Sequence, residues 1–358
     1  MAGSAEDLVA LVQGRPSSEL IANLDTTMIA LTCGNGVLPA TINAGQAPTC
    51  YICCPSAAYV DYARAELRHF RGSPSIAVLL TALLRPALWL VRASGLDRQV
   101  QPNNWLLATN LPPPLDPASL ARLTDEIAAR WPGHAIVWRS LNAADELAMF
   151  REAGYRALPA RQVYLYDCRR GPPPAGRDFR RDLTLLRSGG YAIAGGESFS
   201  PADFERAAAL YVLLYLDKYT PLNPRYTPAF LVGTHEAGLI RYVGLRDPLG
   251  TLQAFIGLFQ RGAVMTAPIV GYDTALPRAE GLYRMLMALC LDKARQERLL
   301  FNMSAGAASF KRNRGAVPVL EYTMVRDAHL PWRRRAARGI VERLLRQIGV
   351  PLIRAFEL

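Results

Sequence analysis

Acid–base chemistry in this sequence rests on acidic and phenolic side chains rather than on histidine. Glu321 and Tyr322 follow the apolar run Val317-Pro318-Val319-Leu320, and Asp217 ends a long apolar segment. The run predicts a strand, whose alternation turns either Glu321 or Tyr322 outward to solvent. We expect a general acid or base for a group-transfer reaction among these three side chains.

A basic cluster follows the candidate strand at residues 299–303. It consists of Lys311, Arg312 and Arg314, and it lies between Gly306 and Gly315. Charged side chains of this kind form strong hydrogen bonds with phosphate or carboxylate oxygens. We expect them to contact an anionic acceptor or a carrier phosphate, although a solvated basic face has the same composition.

Residues 215–226 are dense in Tyr, Pro and charge, and they follow a long predicted helix. The candidate substrate-binding side chains of this stretch are Tyr215, Lys218, Tyr219 and Asn223. Together they offer the apolar walls and few polar anchors of a small-molecule pocket. Packing of a proline-rich loop on the core explains the same composition, and Asp217 could simply pair with Lys218 or Arg225.

Cysteine and histidine spacing does not predict a metal centre. The four histidines are scattered, and no Ser-His-Asp set or paired ligand motif is apparent. Cys50, Cys53 and Cys54 resemble half of a zinc site, but a zinc site needs four ligands and no second pair lies at a suitable spacing. Six cysteines in 358 residues are also too few for a disulfide framework, so we expect buried thiols and no bound metal.

Composition indicates a folded chain with an anionic partner. The chain has 358 residues, 51% of them hydrophobic, and a formal net charge of +11. The longest apolar stretch, residues 76–91, is interrupted by Arg85-Pro86 and is shorter than a membrane span. The first residues lack a signal-peptide pattern, so we expect a cytoplasmic protein, with peripheral contact to the inner membrane as a further option.

The positions of strands and helices divide the chain into two halves. A Pro/Gly/Arg run at 169–180 predicts a linker between residues 1–168 and 181–327. Predicted strands at 104–110, 135–140 and 161–166 alternate with helices in the first half. The second half predicts a helix at 201–219, an antiparallel meander at 239–271, a strongly periodic helix from Leu282, and strands at 299–303 and 317–325. No internal sequence repeat is apparent.

This element order resembles the GCN5-related N-acetyltransferase (GNAT) fold. Arg278-Ala279-Glu280-Gly281-Leu282-Tyr283 occupies the place of that family's phosphate loop, with Tyr283 where a small residue is usual. The segment from Asn302 to Ala316 resembles the GxxxFKxxxG block of the FemAB-like and cellulose-synthesis-associated branch. The resemblance implies an α/β (α+β) fold of tandem GNAT-like lobes, with mixed antiparallel and parallel sheets flanked by helices. It covers residues 180–327 by motif and 30–168 by architecture.

The resemblance also implies an acyltransferase that uses acyl-CoA or an acyl-carrier phosphopantetheine as co-substrate. The donor would lie at the helix that begins after Arg278 and Gly281, with its carbonyl near the main-chain N–H groups of Ile269 and Val270. Asn302 and Ser304, in the segment that resembles the GxxxFKxxxG block, would contact substrate. An amine would attack the thioester directly, without a covalent enzyme intermediate, a metal or a tightly bound cofactor.

Two other functions remain open at this stage. A Fem-like transferase would take an aminoacyl group from charged tRNA, and a catalytically inactive lobe pair would act as a binding protein. Residues 328–358 predict a basic amphipathic helix, because residues 326–358 hold eight arginines and three acidic residues. Such a helix could contact acidic phospholipid, an acyl carrier protein or tRNA, or cap the fold with its apolar side.

Overall fold

A computed structural model describes residues 3–45, 50–66, 74–145 and 147–357. In this part of the chain, eleven strands form one mixed sheet. The strands are β1 (Thr27–Cys33), β2 (Gly36–Ala44), β3 (Arg98–Pro102), β4 (Ala135–Asn142), β5 (Arg156–Asp167), β6 (Ala192–Gly195), β7 (Arg241–Arg246), β8 (Leu252–Arg261), β9 (Val264–Tyr272), β10 (Leu300–Asn302) and β11 (Val317–Arg326). Their order across the sheet is β1-β2-β3-β4-β11-β5-β10-β9-β8-β7-β6. The expected α/β fold with a mixed sheet and flanking helices is confirmed.

Helices cover both faces of the sheet. They are α1 (Ala5–Val12), α2 (Ser17–Leu20), α3 (Tyr62–Glu66), α4 (Pro74–Ser94), α5 (Pro117–Arg130), α6 (Leu147–Glu152), α7 (Arg177–Ser188), α8 (Pro201–Tyr211), α9 (Pro228–Glu236), α10 (Leu282–Gln296), α11 (Ala308–Arg312), α12 (Trp332–Leu344) and α13 (Val350–Phe356). Wider helical turns at 57–61, 212–217 and 345–349 precede α3, extend α8 and follow α12. Within the described ranges, no helix is long and apolar enough to cross a membrane.

The two halves of the chain repeat one arrangement. In each half an antiparallel meander, β1-β2-β3 or β7-β8-β9, leads through a helix to a parallel strand, β4 or β10. A short helix, α6 or α11, then leads to a long last strand, β5 or β11. The last strands are exchanged, because β11 pairs with β4 and β5 pairs with β10. The two predicted lobes therefore share one continuous sheet.

Burial of α10 positions the start of that helix. Met285, Leu286 and Cys290 pack against Ile256, Met265 and neighbouring residues of the sheet. Each fully buried Leu or Met side chain contributes about 2 kcal/mol of transfer free energy. The predicted periodicity of this helix is confirmed, and the packing fixes its axis relative to β9.

Two predicted elements differ from the observed ones. Residues 104–110 form an irregular buried loop instead of a strand, while β3 precedes them. The Asn104 and Asn110 side chains accept bonds from the main-chain N–H groups of Leu106 and Trp105, so local side-chain contacts replace a strand ladder. The predicted helix at 201–219 ends as a regular α-helix at Tyr211 and continues as a wider turn.

Candidate active site between β9 and β10

Strands β9 and β10 separate towards their carboxyl ends. They pair only through Leu300 with Val264, Phe301 with Met265 and Asn302 with Thr266. The chain leaves β10 through Ser304, Gly306 and Ala307, which all have positive φ angles, of 59°, 77° and 49°. Within the described residues, no strand pairs with 267–272 on this side of β9. A wedge-shaped opening therefore lies between the two strands.

A bulge in β9 determines which main-chain groups face this opening. Thr266 lies opposite Phe259 and Ile269 lies opposite Gly257, so two residues of β9 face the single residue Leu258. Beyond the bulge, the Asp273 N–H donates to the Gln253 carbonyl of the segment leading into β8 at 2.9 Å. Because main-chain direction alternates along a strand, Ile269 faces β8 and the Val270 N–H points into the opening.

The start of α10 lies at the same edge of the sheet as the opening. Gly281 begins this helix with φ 69°, and no side chain caps it. The first intrahelical bond is donated by Met285, which leaves the N–H groups of Leu282, Tyr283 and Arg284 directed out of the helix. Arg278 is exposed in the short turn just before. These donors and the positive end of the helix dipole form an arrangement suited to phosphate.

Gly281 is also required by packing. A Cβ atom at this position would lie 2.6 Å from Leu185 Cδ2 of α7. The positive φ strains any residue with a side chain, and the close approach would require the Leu185 methyl group to shift. The backbone conformation thus accounts for a glycine at position 281 whether or not a phosphate binds there.

Aromatic rings form a wall beside the helix start. The Tyr283 ring lies 5.0 Å from Phe310 and 6.3 Å from Tyr272, measured between centroids. Burial raises the pKa of Tyr283, and the nearby Tyr219 and Tyr272 add to this effect. The tyrosine that departs from the family's small residue therefore packs on α11 and on the end of β9.

The predicted substrate loop adjoins this wall. Tyr215 stacks on Tyr211 with centroids 4.8 Å apart, and the Lys218 ammonium lies 5.7 Å from the Tyr219 centroid. The Asn223 amide donates to the Tyr215 carbonyl at 2.8 Å, so this buried residue holds the loop in shape. Asp217 is exposed, and among the described residues no ion pair joins it to Lys218 or Arg225.

Lys311 is buried and its ammonium is enclosed by carbonyl groups. Its Nζ donates to the carbonyls of Met303, Ser304 and Ala305 at 2.6, 3.0 and 2.8 Å. Burial, together with the nearby Arg161, lowers the pKa of Lys311 to about 7. Asn302 supports the same turn, since its side-chain oxygen accepts the Ser304 N–H at 2.9 Å. The lysine therefore holds the chain that forms one wall of the opening.

The two other cations of the predicted basic cluster have different partners. Arg312 forms an ion pair with Glu357 near the end of the chain. Arg314 is buried, lies 3.4 Å over the Phe310 ring and pairs with Asp182 of α7 at 2.6 Å. Asp182 also pairs with Arg284 of α10 at 2.7 Å. These contacts disperse the cluster, so the structure does not bring Lys311, Arg312 and Arg314 together as one anion-binding face.

Glu321 lies in the middle of the sheet, facing Arg161 of the neighbouring strand. Its two oxygens accept from the Arg161 guanidinium at 2.8 and 3.2 Å. Arg161 also donates to the Thr109 hydroxyl at 3.0 Å, and Thr109 donates to the Ser304 hydroxyl at 3.1 Å. Glu321 is thus engaged in a structural ion pair, which connects through Thr109 to the turn that carries Lys311.

Tyr322 lies apart from this pair. A register shift of β11 occurs between Glu321 and Tyr322, and Tyr322 lines a cavity of about 560 Å³ beside α6. Asp145 lines the same cavity, and burial raises its pKa to about 6. Asp145 was not among the residues predicted from the sequence. Its signal would have been the Asn-x-x-Asp turn after β4, at the position corresponding to the Asn302 turn after β10.

The described residues contain no group of three or more His, Cys, Asp or Glu side chains arranged for a metal. Cys50, Cys53 and Cys54 are buried, and burial raises the pKa of each thiol. One of the four histidines, His69, lies outside the described residues.

Comparison with known proteins identifies the fold. FemX is similar over 94% of this chain and 99% of its own, with a TM-score of 0.54 and 9% identity. L-PGS from Bacillus licheniformis is similar over 96% of this chain and 99% of its own, with a TM-score of 0.52 and 13% identity. A tandem GNAT protein from the clavulanic acid biosynthesis pathway covers 64% of this chain and 74% of its own, with a TM-score of 0.36 and 12% identity.

No protein-family model matches the chain, and no curated protein sequence matches it either. The likeness to FemX and L-PGS spans both lobes of this chain. The chain thus shares the fold of FemX and L-PGS, which agrees with the tandem GNAT-like lobes that its motifs predict.

Proposed function

We propose that the chain is an acyltransferase whose donor binds in the C-terminal lobe, between β9 and β10. The observation that carries this proposal is the opening at the end of these strands, which lies beside the uncapped start of α10. Main-chain donors for a carbonyl and for a phosphate thus occur at one edge of the sheet. The N–H of Val270 and the N–H groups at 282–284 are these donors.

The donor's phosphate-bearing arm would rest at the start of α10, with Arg278 adding positive charge. Its thioester carbonyl would accept from the Val270 N–H, which lies in a preformed position and needs no rearrangement when charge develops on the oxygen. The acceptor amine would approach along the loop that carries Tyr215 and Tyr219. Its nitrogen would attack the carbonyl carbon, the C–S bond would break, and the departing thiolate would take up a proton.

Asp217 is the predicted acid–base residue that remains available at this edge. Glu321 is occupied by Arg161, and Tyr322 lines a different cavity. The exposed Asp217 carboxylate follows Tyr215 and Leu216 at the end of the helical turn, one residue before Lys218 of the predicted substrate loop. We propose that it accepts the proton of the attacking amine. Asp217→Asn should lower kcat and leave donor affinity unchanged, whereas Asp125→Asn, an exposed site on α5, should change neither.

A thermal-shift panel tests the donor class. The purified protein is heated with CoA, acetyl-CoA, a long-chain acyl-CoA, an acyl carrier protein or total tRNA, each at two salt concentrations. A ligand present at about one hundred times its Kd stabilises the folded state by about 2.7 kcal/mol. We expect saturable stabilisation by one thioester, and we expect Arg278→Glu to remove it.

Arg170→Glu is the matched control for that variant. Arg170 is exposed after β5, at the opposite edge of the sheet from the opening, because Asp167 pairs with Leu300 at the start of β10. Reversing the charge at Arg170 should leave stabilisation by the thioester intact. Equal loss in both variants would indicate a nonspecific charge effect, and no loss in either would remove the α10 terminus from the donor site.

A Fem-like aminoacyltransferase is the second candidate, with charged tRNA as donor. It is favoured by the likeness of the whole chain to FemX and by the net charge of +11. The same helix terminus would then hold a phosphate near the end of the tRNA. Stabilisation by tRNA with a steep salt dependence, and by no thioester, would support this candidate. No thermal stabilisation by any of these ligands would favour the catalytically inactive binding protein.

A further inference from the structure

The C-terminal helices lie over α4 on one face of the sheet. Val341 and Leu345 pack into a cluster with Val91 of α4 and with Val137 and Val325 of the sheet. The buried Arg338 side chain pairs with Asp327 at the end of β11. These contacts fix the rotation of α12 about its axis, so the opposite side of the helix faces away from the sheet.

Large apolar side chains occupy this outer side. They are Trp332, 66% exposed, Ile340, 49%, Leu344, 37%, and Ile348, 41%. Spacings of eight, four and four residues place them along one inclined stripe of the helix surface. The adjoining helix α4 adds Trp89, which is 69% exposed. Only some of the apolar side chains of α12 therefore pack against the rest of the protein. The others are exposed to solvent, and exposed apolar patches of this kind are typical of interaction surfaces.

Arginines flank the stripe. Arg333, Arg335, Arg343 and Arg354 are exposed on the C-terminal segment, and Arg85 and Arg92 are exposed on α4. The three acidic residues between 326 and 358 already pair with other arginines. Asp327 contacts Arg338, Glu342 contacts Arg156, Arg338 and Arg346, and Glu357 contacts Arg312. The segment thus offers its exposed arginines no carboxylate of its own.

We propose that this outer surface of α4, α12 and α13 docks the protein onto an anionic lipid bilayer. Trp332, Trp89 and the Ile and Leu side chains enter the boundary between headgroups and acyl chains, as an interfacial helix does. The flanking arginines reach lipid phosphates through their flexible stems. Each basic side chain near an anionic leaflet adds attraction that falls off within a Debye length.

The combination of charge and apolar surface selects the bilayer over other occupants. A second copy of the chain docked through the same surface would place the two arginine sets against each other. Nucleic acid would contact the arginines but would leave the exposed Ile340, Leu344 and Ile348 without a role. An anionic bilayer offers phosphates to the exposed arginines and an apolar interior to the exposed Ile, Leu and Trp side chains. This proposal involves no residue of the donor site, so it stands or falls independently of the proposed transfer activity.

Vesicle flotation with the full chain tests the proposal. The probes are vesicles of phosphatidylcholine alone and of phosphatidylcholine mixed with phosphatidylglycerol. We expect binding to the mixed vesicles that weakens with added salt. Trp332→Ala combined with Ile340→Ser, and separately Arg333→Glu combined with Arg343→Glu, should each lower the affinity at least about tenfold. Leu249→Ser, at a 91% exposed hairpin residue, and Arg170→Glu are the matched controls and should bind like the wild type.

All four changed residues of the outer surface are exposed, so thermal midpoints should stay near that of the wild type. Failure to float with either vesicle would overturn the proposal, as would equal binding by the outer-surface variants. Self-association that is lost in the Trp332 and Ile340 variant would assign the surface to a second copy instead. Binding of tRNA that is lost in the Arg333 and Arg343 variant, without vesicle binding by the wild type, would assign the surface to nucleic acid.

Discussion

The two lobes repeat one framework but differ at the helix that leads to the parallel strand, α5 in the first lobe and α10 in the second. In the N-terminal lobe, Asp116 caps α5, and its carboxylate accepts the Ser119 N–H at 2.9 Å and the Ser119 hydroxyl at 2.6 Å. In the C-terminal lobe, α10 begins at Gly281 without a side-chain cap. A carboxylate at a helix start satisfies the free donors and repels a phosphate. Of these two helix starts, only that of α10 therefore lacks a side-chain cap.

The region between the separating parallel strands also differs between the lobes, because loops and side chains fill it in the first lobe. Strands β3 and β4 pair through two residues only, so they also separate. There, however, Arg139 of β4 donates to the carbonyl of Ile52 at 2.8 Å and to that of Ala108 at 3.4 Å, which ties two loops to the strand. Asn104 bonds Thr41 and Gln101 nearby. In the first lobe, side chains and loops of the protein thus occupy the region that corresponds to the opening between β9 and β10.

The turns after the parallel strands carry opposite charges. Asn142 and Asn302 each accept the N–H two residues later, at 2.9 Å in both turns. The first turn then presents Asp145, whereas the second is enclosed around Lys311. Lys311 corresponds by sequence offset to Arg151, which lines the cavity of the first lobe. Equivalent positions therefore serve as a cavity wall in one lobe and as a buried support in the other.

The largest predicted effect concerns the ion pair between the exchanged strands. Glu321→Ala should lower the free energy of unfolding by about 3 kcal/mol, because Arg161 loses its carboxylate partner in a largely buried position. Glu297→Ala, which removes a surface pair with Lys293, should cost less than about 0.5 kcal/mol. Urea denaturation measures both. If Glu321→Ala folded with wild-type stability and lost only activity, a catalytic role for Glu321 would replace the structural one.

A somewhat smaller effect distinguishes the two turns. Lys311→Met should lower the free energy of unfolding by about 2 kcal/mol, because the carbonyls of Met303, Ser304 and Ala305 lose a charged donor. Arg151→Met, at the corresponding exposed position of the first lobe, should stay within about 0.5 kcal/mol of the wild type. Equal losses in chemical denaturation would show that the carbonyl contacts of Lys311 contribute little.

The pH dependence of stability should have opposite signs in the two turns. The pKa of Asp145 is raised from 3.8 to about 6, so the folded state holds more protons between these values and stability falls as pH rises through them. The pKa of Lys311 is lowered from 10.5 to about 7, so the folded state holds fewer protons there and stability rises with pH. Asp145→Asn and Lys311→Met should flatten the respective segments of the urea midpoint against pH. An unchanged profile in either variant would contradict that assignment.

The smallest predicted effect concerns the cap of α5. Asp116→Ala should lower the thermal midpoint by a few degrees at most, since one surface cap is lost. It should leave stabilisation by the donor thioester unchanged, because the proposed donor site lies at α10. Differential scanning calorimetry with and without ligand measures both quantities. A gain in donor affinity would show that the first lobe also binds phosphate once its helix start is free.

Periodicity and turn chemistry carried most of the fold prediction in the second half. The alternation of the meander and the apolar stripe of α10 follow directly from burial of one face, and both elements formed as expected. The loop at 104–110 was misassigned because its apolar residues are buried without being a strand. Asparagine side chains bond its main chain locally, and such tertiary burial leaves no period in the sequence.

The candidate site was harder to predict, because long-range pairing decides which side chains are engaged. Glu321 and Arg161 are 160 residues apart, and only the exchange of β5 and β11 makes them neighbours. The bulge that turns the Val270 N–H into the opening likewise depends on pairing with β8. A weak internal repeat was nevertheless present. Asn142 and Phe150 match Asn302 and Phe310 at a constant offset, and this repeat marks the two equivalent turns.

Hydrogen–deuterium exchange tests the difference between the lobes most directly. The protein would be compared with and without the thioester that stabilises it in the thermal-shift panel. We predict slower exchange at 269–272 and 282–285, where the donor contacts main-chain N–H groups, and no change at 98–102 and 117–120. Protection confined to the first lobe, or equal protection in both lobes, would contradict a single donor site in the C-terminal lobe.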